Sequence, residues 1–254
     1  MKIKIFSDIH LEFYVAHQYF DVGTGDVLIL AGDIISARHL RTDGYLKRLY
    51  LKFFDTCSKN FKHIIYVLGN HCFYGYNIEG AKKVIKEVLP SNFYLLDDDT
   101  VKIGDWNFIG ATFWTNFRNE NPLEMMEVHR YMSDYHTIRI GSNFRKLNPD
   151  DTLGFHKKSI EYIENQLQTL KENVFVVTHH SPTFQAEDPR YKGECSGAFN
   201  SDYDDFILNH PQIKYWVFGH THQNLDFNIG DCRMLCNAVG YKNELEPKIL
   251  EIEV

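Results

Sequence analysis

Cysteine is scarce in this sequence. Its 254 residues include five cysteines, an odd number, and no Cys-x-x-Cys pair occurs. A zinc site built on thiolates needs closely spaced cysteines, and a disulfide framework needs a denser, even set. The composition therefore argues against both classes. Reduced thiols in a cytosolic protein are the simplest interpretation, so we predict a cytoplasmic location.

Long hydrophobic runs are missing as well. The longest apolar stretches, residues 27–31 and 64–68, are far shorter than the roughly 20 residues that a membrane-spanning helix requires. Residues 2–6 alternate charged and apolar side chains and end at Ser7-Asp8, a pattern unlike a secretory signal. We therefore expect no membrane association.

Basic residues are in deficit, with 27 Lys and Arg against 34 Asp and Glu and a formal net charge of −7 at pH 7. Proteins that follow a nucleic-acid backbone need clustered Lys and Arg. The charge therefore argues against an extended nucleic acid as partner. A small phosphorylated ligand is not excluded, because bound cations would reverse the local field.

What the sequence does contain is typical of a globular protein, with 44% hydrophobic and 24% charged residues. No internal repeat, low-complexity tract or Pro/Gly/Ser-rich linker divides the chain. A length of 254 residues is compatible with one domain or two, and one domain over residues 1–254 is the simpler prediction.

Short apolar, β-branched runs alternate with segments whose apolar residues have helical spacing. We predict strands at residues 3–6, 27–31, 63–68, 106–111, 174–178 and 215–218, and helices at 45–57, 78–88 and 152–172. Further strand-like runs at 100–103, 225–229, 233–236 and 249–252, with turns at Gly104-Asp105 and Gly230-Asp231, indicate antiparallel pairs. The predicted fold is α/β: a four-layer α/β/β/α sandwich of two mixed sheets flanked by helices.

Polar side chains follow the predicted strands directly. Carboxylate, imidazole and amide groups stand at the ends of five predicted strands: Asp8 and His10, Asp33, Asn70 and His71, His179, then His220 and His222. Open α/β sheets gather ligands at this edge. The irregular stretches 116–151 and 184–204 are expected to be surface excursions over it.

This donor set suits a pair of cations. Oxygen ligands combined with imidazole suit Mn²⁺, Fe and Zn²⁺, and the lack of thiolate argues against structural zinc. In Asp-x-His and His-x-His the two ligands share one side of an extended segment. Two metal ions about 3.5–4 Å apart can deprotonate a water near neutral pH and clamp a phosphoryl group for attack by the resulting hydroxide.

These motifs resemble the calcineurin-like metallophosphoesterase superfamily. Its pattern D-x-H, G-D, G-N-H-[D/E], H and G-H-x-H matches in order and nearly in full, from Ser7 to His222. The runs GATFW (110–114), THHSP (178–182) and NAVGY (237–241) resemble bacterial and phage members of that superfamily. One short motif alone would be weak evidence, whereas five in order at strand ends are highly specific.

The resemblance implies a role for each matching residue. Asp8, His10 and His222 would hold the first metal, Asp33 would bridge, and Asn70, His179 and His220 would complete the second. The catalytic residue would be His71, which would protonate the leaving-group oxygen or stabilise the transition-state charge. The expected cofactors are two divalent transition-metal ions, Mn²⁺ as first choice and Fe or Zn²⁺ as alternatives. His180 follows a ligand directly and should point the other way, in a structural or supporting role.

The departure from the pattern is Cys72, where many relatives carry Asp or Glu to orient the preceding histidine. Three alternatives follow. Another carboxylate orients His71, or His71 works with a lower pKa, or this branch of the superfamily relies less on protonating its leaving group. Cys72 as an additional metal ligand is disfavoured.

The leading functional hypothesis is hydrolysis of a phosphate ester, with a mild preference for a small phosphodiester or a nucleotide. The alternative is a phosphomonoesterase, protein phosphatases included. A nuclease is less favoured because acidic residues outnumber basic residues. A non-catalytic scaffold of the same fold is less favoured because every ligand position holds a competent residue.

Overall fold

The computed structural model describes residues 1–14, 20–191, 193, 195–242, 244–246 and 248–254. Within these residues the strands are β1 (Lys2–Phe6), β2 (Gly25–Ala31), β3 (Phe61–Val67), β4 (Phe93–Leu95), β5 (Asp99–Ile103), β6 (Trp106–Ala111), β7 (Arg139–Ile140), β8 (Arg145–Lys146), β9 (Val174–Thr178), β10 (Ile213–Phe218), β11 (Asn224–Ile229), β12 (Cys232–Asn237) and β13 (Leu250–Glu253). The right-handed helices are Tyr45–Asn60, Ile78–Val88, Pro122–Tyr131, Asp134–Thr137, Pro149–Thr169 and Asp204–Leu208. Short 3₁₀ turns connect several of these elements.

Eleven of these strands form two mixed sheets, and β7 and β8 form a separate antiparallel pair. The first has the order β13-β1-β2-β3-β4, with β13 antiparallel to β1 and the other neighbours parallel. The second has the order β11-β12-β10-β9-β6-β5, with parallel pairs in the middle and an antiparallel hairpin at each edge. The turns predicted at Gly104-Asp105 and Gly230-Asp231 each join the two strands of one hairpin.

The central strands are hydrophobic on both faces because each lies between two layers. In β2, Val27 and Ile29 face the second sheet, whereas Leu28 and Leu30 pack beneath the helices. A third cluster joins the outer face of the second sheet to the helix Pro149–Thr169 and the helix Asp204–Leu208. The predicted four-layer α/β/β/α sandwich is therefore confirmed.

The long helix differs from the predicted span of 152–172, since it runs from Pro149 to Thr169. The side chain of Asn148 accepts a hydrogen bond from the Asp151 N–H, and the Asp151 carboxylate accepts one from the Asn148 N–H. This capping box, with a proline in the first turn, fixes the start of the helix ahead of its apolar stripe.

The excursion at 116–151 is more regular than its sequence pattern indicates. It opens with a left-handed helical turn, Phe117–Glu120, in which all four residues have positive φ. The helix Pro122–Tyr131 follows, with Asn121 as its N-cap, and then the short helix Asp134–Thr137. In the described part of the chain, no helix is both long and apolar enough to cross a membrane.

Candidate metal centre

All eight residues predicted for the site lie at one edge of the sandwich, at the carboxyl ends of β1, β2, β3, β9 and β10. Seven of them are buried: Asp8, His10, Asp33, Asn70, His179, His220 and His222. The eighth, His71, is half-buried and faces an open cavity. The polar residues at the strand ends therefore converge as their positions predicted.

The first cluster consists of Asp8, His10 and His222. The Nε2 atoms of His10 and His222 are 3.2 Å apart, and His222 Nε2 lies 3.6 Å from Asp8 Oδ1. Each imidazole offers its Nδ1 to a carboxylate, His10 to Glu12 at 3.1 Å and His222 to Glu244 at 2.6 Å.

These partners fix the tautomers. A histidine that donates from Nδ1 to a carboxylate presents a lone pair at Nε2, the usual arrangement of metal-ligating imidazoles. The lone pairs of His10 and His222 therefore face each other beside the Asp8 carboxylate. A cation between them satisfies all three acceptors, so this cluster fits a metal ion.

The second cluster consists of Asp33, Asn70, His179 and His220. His179 donates from Nδ1 to the Ala31 carbonyl at 3.0 Å, and its Nε2 lies 3.0 Å from Asn70 Oδ1 and 3.3 Å from Asp33 Oδ2. His220 Nε2 is buried without a hydrogen-bond partner in the described structure. Converging acceptors and an orphaned ring nitrogen are again what a metal ion would satisfy.

Asp33 lies between the two clusters. Its Oδ2 is 3.3 Å from His179 Nε2 on one side and 4.0 Å from His10 Nε2 on the other. Its Oδ1 accepts a hydrogen bond from the His71 N–H at 2.8 Å, which holds the carboxylate in place. This is the position that a bridging carboxylate occupies in a two-metal site.

Backbone strain accompanies these positions. Five site residues have φ between 47° and 66°, namely Asp8, His10, Asp33, His220 and His222. Non-glycine residues adopt this region at a cost, and such residues concentrate at functional sites. The backbone is held by hydrogen bonds between the segments that follow β1 and β2, from the Asp8 N–H to Gly32 O and from the His10 N–H to Asp33 O.

Two glycines allow the ligands to approach the backbone. A Cβ at Gly32 would lie 2.2 Å from His179 Nδ1, and one at Gly219 would lie 2.7 Å from Asp8 Oδ2. Any side chain at either position would displace a site residue. The glycines of the G-D and G-H-x-H motifs are therefore explained by close packing.

The electrostatics of the site favour cations. Burial opposes ionisation of Asp33, but the surrounding histidines, His179 foremost, hold the pKa of its carboxyl well below the usual range. Burial also opposes a charge on His179, but the Asp33 and Asp8 carboxylates outweigh it and raise its pKa to about 9. Burial lowers the pKa of His220 well below its ordinary value, which keeps that imidazole neutral and its lone pair available.

Glu12 supplies the carboxylate beside His71 that Cys72 cannot supply. Its Oε1 lies 3.4 Å from His71 Nδ1 and 3.1 Å from His10 Nδ1. Cys72 instead points into the core, with Sγ 3.7 Å from the Tyr66 hydroxyl, and burial raises the pKa of its thiol to about 12. Of the three alternatives left open by the sequence, the geometry supports a substitute carboxylate.

His71 is surrounded by polar and aromatic groups. The Tyr241 hydroxyl lies 3.2 Å from His71 Nε2, and the Tyr74 ring stacks on the imidazole at 4.0 Å between centroids. Burial opposes a charge on His71, but the carboxylates of Asp33 and Glu12 outweigh it and raise its pKa. The ring is therefore fixed in orientation and suited to carry a proton at the edge of the cavity.

His180 does not join either cluster. It is buried, its Nδ1 lies 3.1 Å from the Thr112 carbonyl, and its ring stacks on Trp114. Burial lowers its pKa to about 3. These contacts are those of a neutral structural residue that packs behind His220, at 4.3 Å between ring centroids.

The cavity beside the clusters has a volume of about 310 Å³. Both excursions contribute to its walls, with Tyr131, Met132 and Ser133 from the first and Phe199 from the second. The expectation that these stretches lie over the site therefore matches the structure.

Sequence patterns missed three carboxylates that hold the site residues. The Asp-x-His segment is not extended as predicted, because Asp8 and His10 both have positive φ. Glu12 follows His10 by two positions, as His10 follows Asp8, and this spacing could have pointed to it. Asp134 and Glu244, which contact Asn70 and His222, come from an excursion and from a C-terminal loop. No local signal marks those two.

Comparison with known families agrees with the geometry. The sequence model of a family described as calcineurin-like phosphoesterase matches residues 1–224. This chain belongs to that family. It is a metallophosphoesterase, and therefore a hydrolase, with candidate metal ligands at its strand ends. An uncharacterized protein of Acanthamoeba polyphaga mimivirus is 31% identical over an alignment of 210 residues, and the match covers 76% of this chain and 73% of the viral protein.

Solved structures show the same fold. The phosphopantetheinyl hydrolase PptH from Mycobacterium tuberculosis matches with a TM-score of 0.68 and 15% identity, over 94% of this chain and 89% of that chain. A dimetal phosphatase from Danio rerio matches with a TM-score of 0.50 and 14% identity, over 92% and 86% of the two chains. At these identities the likeness concerns architecture alone.

Proposed function

We propose that this protein hydrolyses a phosphate ester with the help of two divalent metal ions, and that its preferred substrate is a small phosphodiester or a nucleotide. The observation that carries the proposal is the convergence of acceptor atoms around Asp33. Imidazole nitrogens, an amide oxygen and carboxylate oxygens face one another there at 3.0–4.0 Å. Cations are the groups that such an arrangement accommodates.

Each cluster would hold one ion. Asp8, His10 and His222 would bind the first, Asn70, His179 and His220 the second, and Asp33 would bind both. Carboxylate, amide and imidazole ligands favour Mn²⁺, with Fe and Zn²⁺ as alternatives. When bound, two such ions supply an activated water and neutralise the charge on the phosphoryl group. A dimetal phosphatase with this fold supports that assignment.

The chain's own residues would complete the chemistry. The His71 ring faces the cavity and is held by Glu12 on one side and by Tyr241 on the other. A proton held there is in position to reach the oxygen of the leaving group. Glu12 also orients His10, so one carboxylate links the acid to the first metal cluster.

The cavity walls support a diester. No Lys or Arg occurs among the described residues that line it, and Glu244 adds a further carboxylate. A monoester dianion needs more positive charge than a diester monoanion, so this lining favours the diester. Tyr74, Tyr131, Phe199 and Tyr241 provide aromatic surface on which a nucleobase or another planar group can stack.

The substrate class is tested by comparing two chromogenic esters. The Mn²⁺-loaded protein is expected to hydrolyse bis(p-nitrophenyl) phosphate with a higher kcat/KM than p-nitrophenyl phosphate. A clear preference for the monoester would refute the diester proposal and favour a phosphomonoesterase.

The site assignment is tested separately by Asp33→Asn and His220→Ala. Both variants are expected to lose turnover and to remain folded by circular dichroism. Asp226→Asn is the matched control, because Asp226 is exposed on β11 and pairs with Arg233 at 2.7 Å. Retained activity in both site variants would refute the assignment.

A further inference from the structure

Asn70 is the one amide among the candidate ligands, and an amide has two unlike ends. Its Oδ1 can bind a cation, whereas its Nδ2 carries two hydrogens and repels one. The two ends have nearly the same shape, so packing alone does not select between the two orientations. Asn70 is only 2% exposed, so solvent contributes little to that selection.

A carboxylate from elsewhere in the chain selects the orientation. Asn70 Nδ2 donates to Asp134 Oδ1 at 2.8 Å, and Asp134 is itself buried. With Asp134 on the Nδ2 side, Oδ1 points toward His179 Nε2 at 3.0 Å.

Asp134 is anchored independently of the site. It begins the helix Asp134–Thr137, in which the Tyr135 hydroxyl contacts the Thr152 hydroxyl at 3.1 Å in the core. Further along, the Arg139 N–H donates to the Tyr76 carbonyl at 2.9 Å. These contacts attach the excursion firmly, so the Asp134 carboxylate is presented at a fixed point.

We propose that Asp134 is a positioning residue that holds the oxygen of Asn70 toward the second metal cluster, which makes the excursion at 116–151 an integral part of the metal site. The proposal rests on the proposed two-metal function. It assigns to Asp134 an effect on metal affinity that acts through the direction of one amide and needs no contact with the metal.

The test is a double-mutant cycle on Mn²⁺ affinity. After removal of metal with a chelator, the full-length protein is titrated with Mn²⁺ by calorimetry, and free Mn²⁺ is followed by electron paramagnetic resonance. Asp134→Leu removes the acceptor and is expected to weaken the second site by roughly 10- to 100-fold, the usual effect of losing a partner that orients a ligand. Asp134→Asn keeps an acceptor oxygen and is expected to retain most of the affinity.

Repeating the measurement in an Asn70→Asp background separates an effect on amide orientation from an effect on stability. In Asn70→Asp both ends of the side chain are oxygens, so no orientation needs to be selected. Asp134→Leu is therefore expected to cause no weakening in the Asn70→Asp background. If it weakens Mn²⁺ binding equally in both backgrounds, Asp134 is merely structural and the proposal is wrong.

A control variant completes the experiment. Tyr135→Phe removes a buried hydrogen bond from the same short helix without touching Asn70, and it is expected to bind Mn²⁺ like the wild type. An equal loss in Tyr135→Phe, or full affinity in Asp134→Leu, would overturn the proposal. If Asp134→Leu does not fold, Asp134→Ser takes its place. A wild-type protein that binds no Mn²⁺ would refute the proposed function itself, an outcome distinct from all of these.

Discussion

Glu12→Gln tests whether one carboxylate serves both the acid and a metal ligand. Glu12 Oε1 lies 3.1 Å from His10 Nδ1 and 3.4 Å from His71 Nδ1, and the side chain is only 5% exposed. Glutamine keeps the shape but loses the charge. Hydrogen bonds to charged groups contribute about 1.5–3 kcal/mol. Losing one in the transition state corresponds to a decrease in kcat of roughly 10- to 150-fold.

The assay uses saturating Mn²⁺ and a series of methyl aryl phosphates from the p-nitrophenyl to the unsubstituted phenyl ester. A nitrophenolate departs without a proton, whereas a phenolate of higher basicity depends on the acid. The loss in Glu12→Gln should therefore grow along the series as the leaving group becomes more basic. Glu120→Gln is the control, because Glu120 is exposed and pairs with Lys157 at 2.7 Å. A loss that is uniform along the series, or no loss, would refute the link between Glu12 and His71.

Three further predictions concern packing and capping. Gly219→Ala is expected to abolish metal-dependent turnover, because its Cβ would lie 2.7 Å from Asp8 Oδ2; activity within a few-fold of the wild type would contradict this. Asn148→Ala removes the N-cap of the helix Pro149–Thr169 and is expected to lower the free energy of unfolding by about 1 kcal/mol in urea titrations, with an unchanged midpoint contradicting the capping box. The hydrogen bond from Arg145 foremost lowers the pKa of the Asp151 carboxyl, so its stabilisation is complete above the unfolded-state pKa and is lost as the pH falls through the lower folded-state pKa. The difference in Tm between the wild type and Asp151→Asn should therefore be larger at pH 7 than at strongly acidic pH, and the same difference at both pH values would refute the assignment.

The sequence predicted the parts of the site that depend on local patterns. A buried strand that ends in a carboxylate, an amide or an imidazole is visible in one short window, and the carboxyl ends of parallel strands must share an edge. Asp8, Asp33 and His179 could therefore be placed together before any contact was known. Their assignment to particular metal ions stays a prediction, as does the interpretation of residues 1–254 as one domain.

The groups that hold those residues depend on tertiary structure. Asp134 reaches Asn70 across 64 positions of sequence, and Glu244 reaches His222 from a C-terminal loop. Neither residue lies in a helix or strand long enough for its hydrophobic period to show which way the side chain points. The left-handed turn Phe117–Glu120 is equally invisible, because no glycine marks its positive φ angles. The start of the helix Pro149–Thr169 was predicted too late, because the apolar residues that mark the helix begin after its N-cap.

The central claim is that the strand ends hold a pair of metal ions bridged by Asp33. The most direct measurement is the Mn²⁺ content of the purified, Mn²⁺-loaded protein together with its electron paramagnetic resonance spectrum. We predict two Mn²⁺ per chain with spin coupling between them, because a shared carboxylate keeps such ions about 3.5–4 Å apart. The coupling should disappear in Asp33→Asn. One ion per chain, or two ions without coupling in the wild type, would contradict the account.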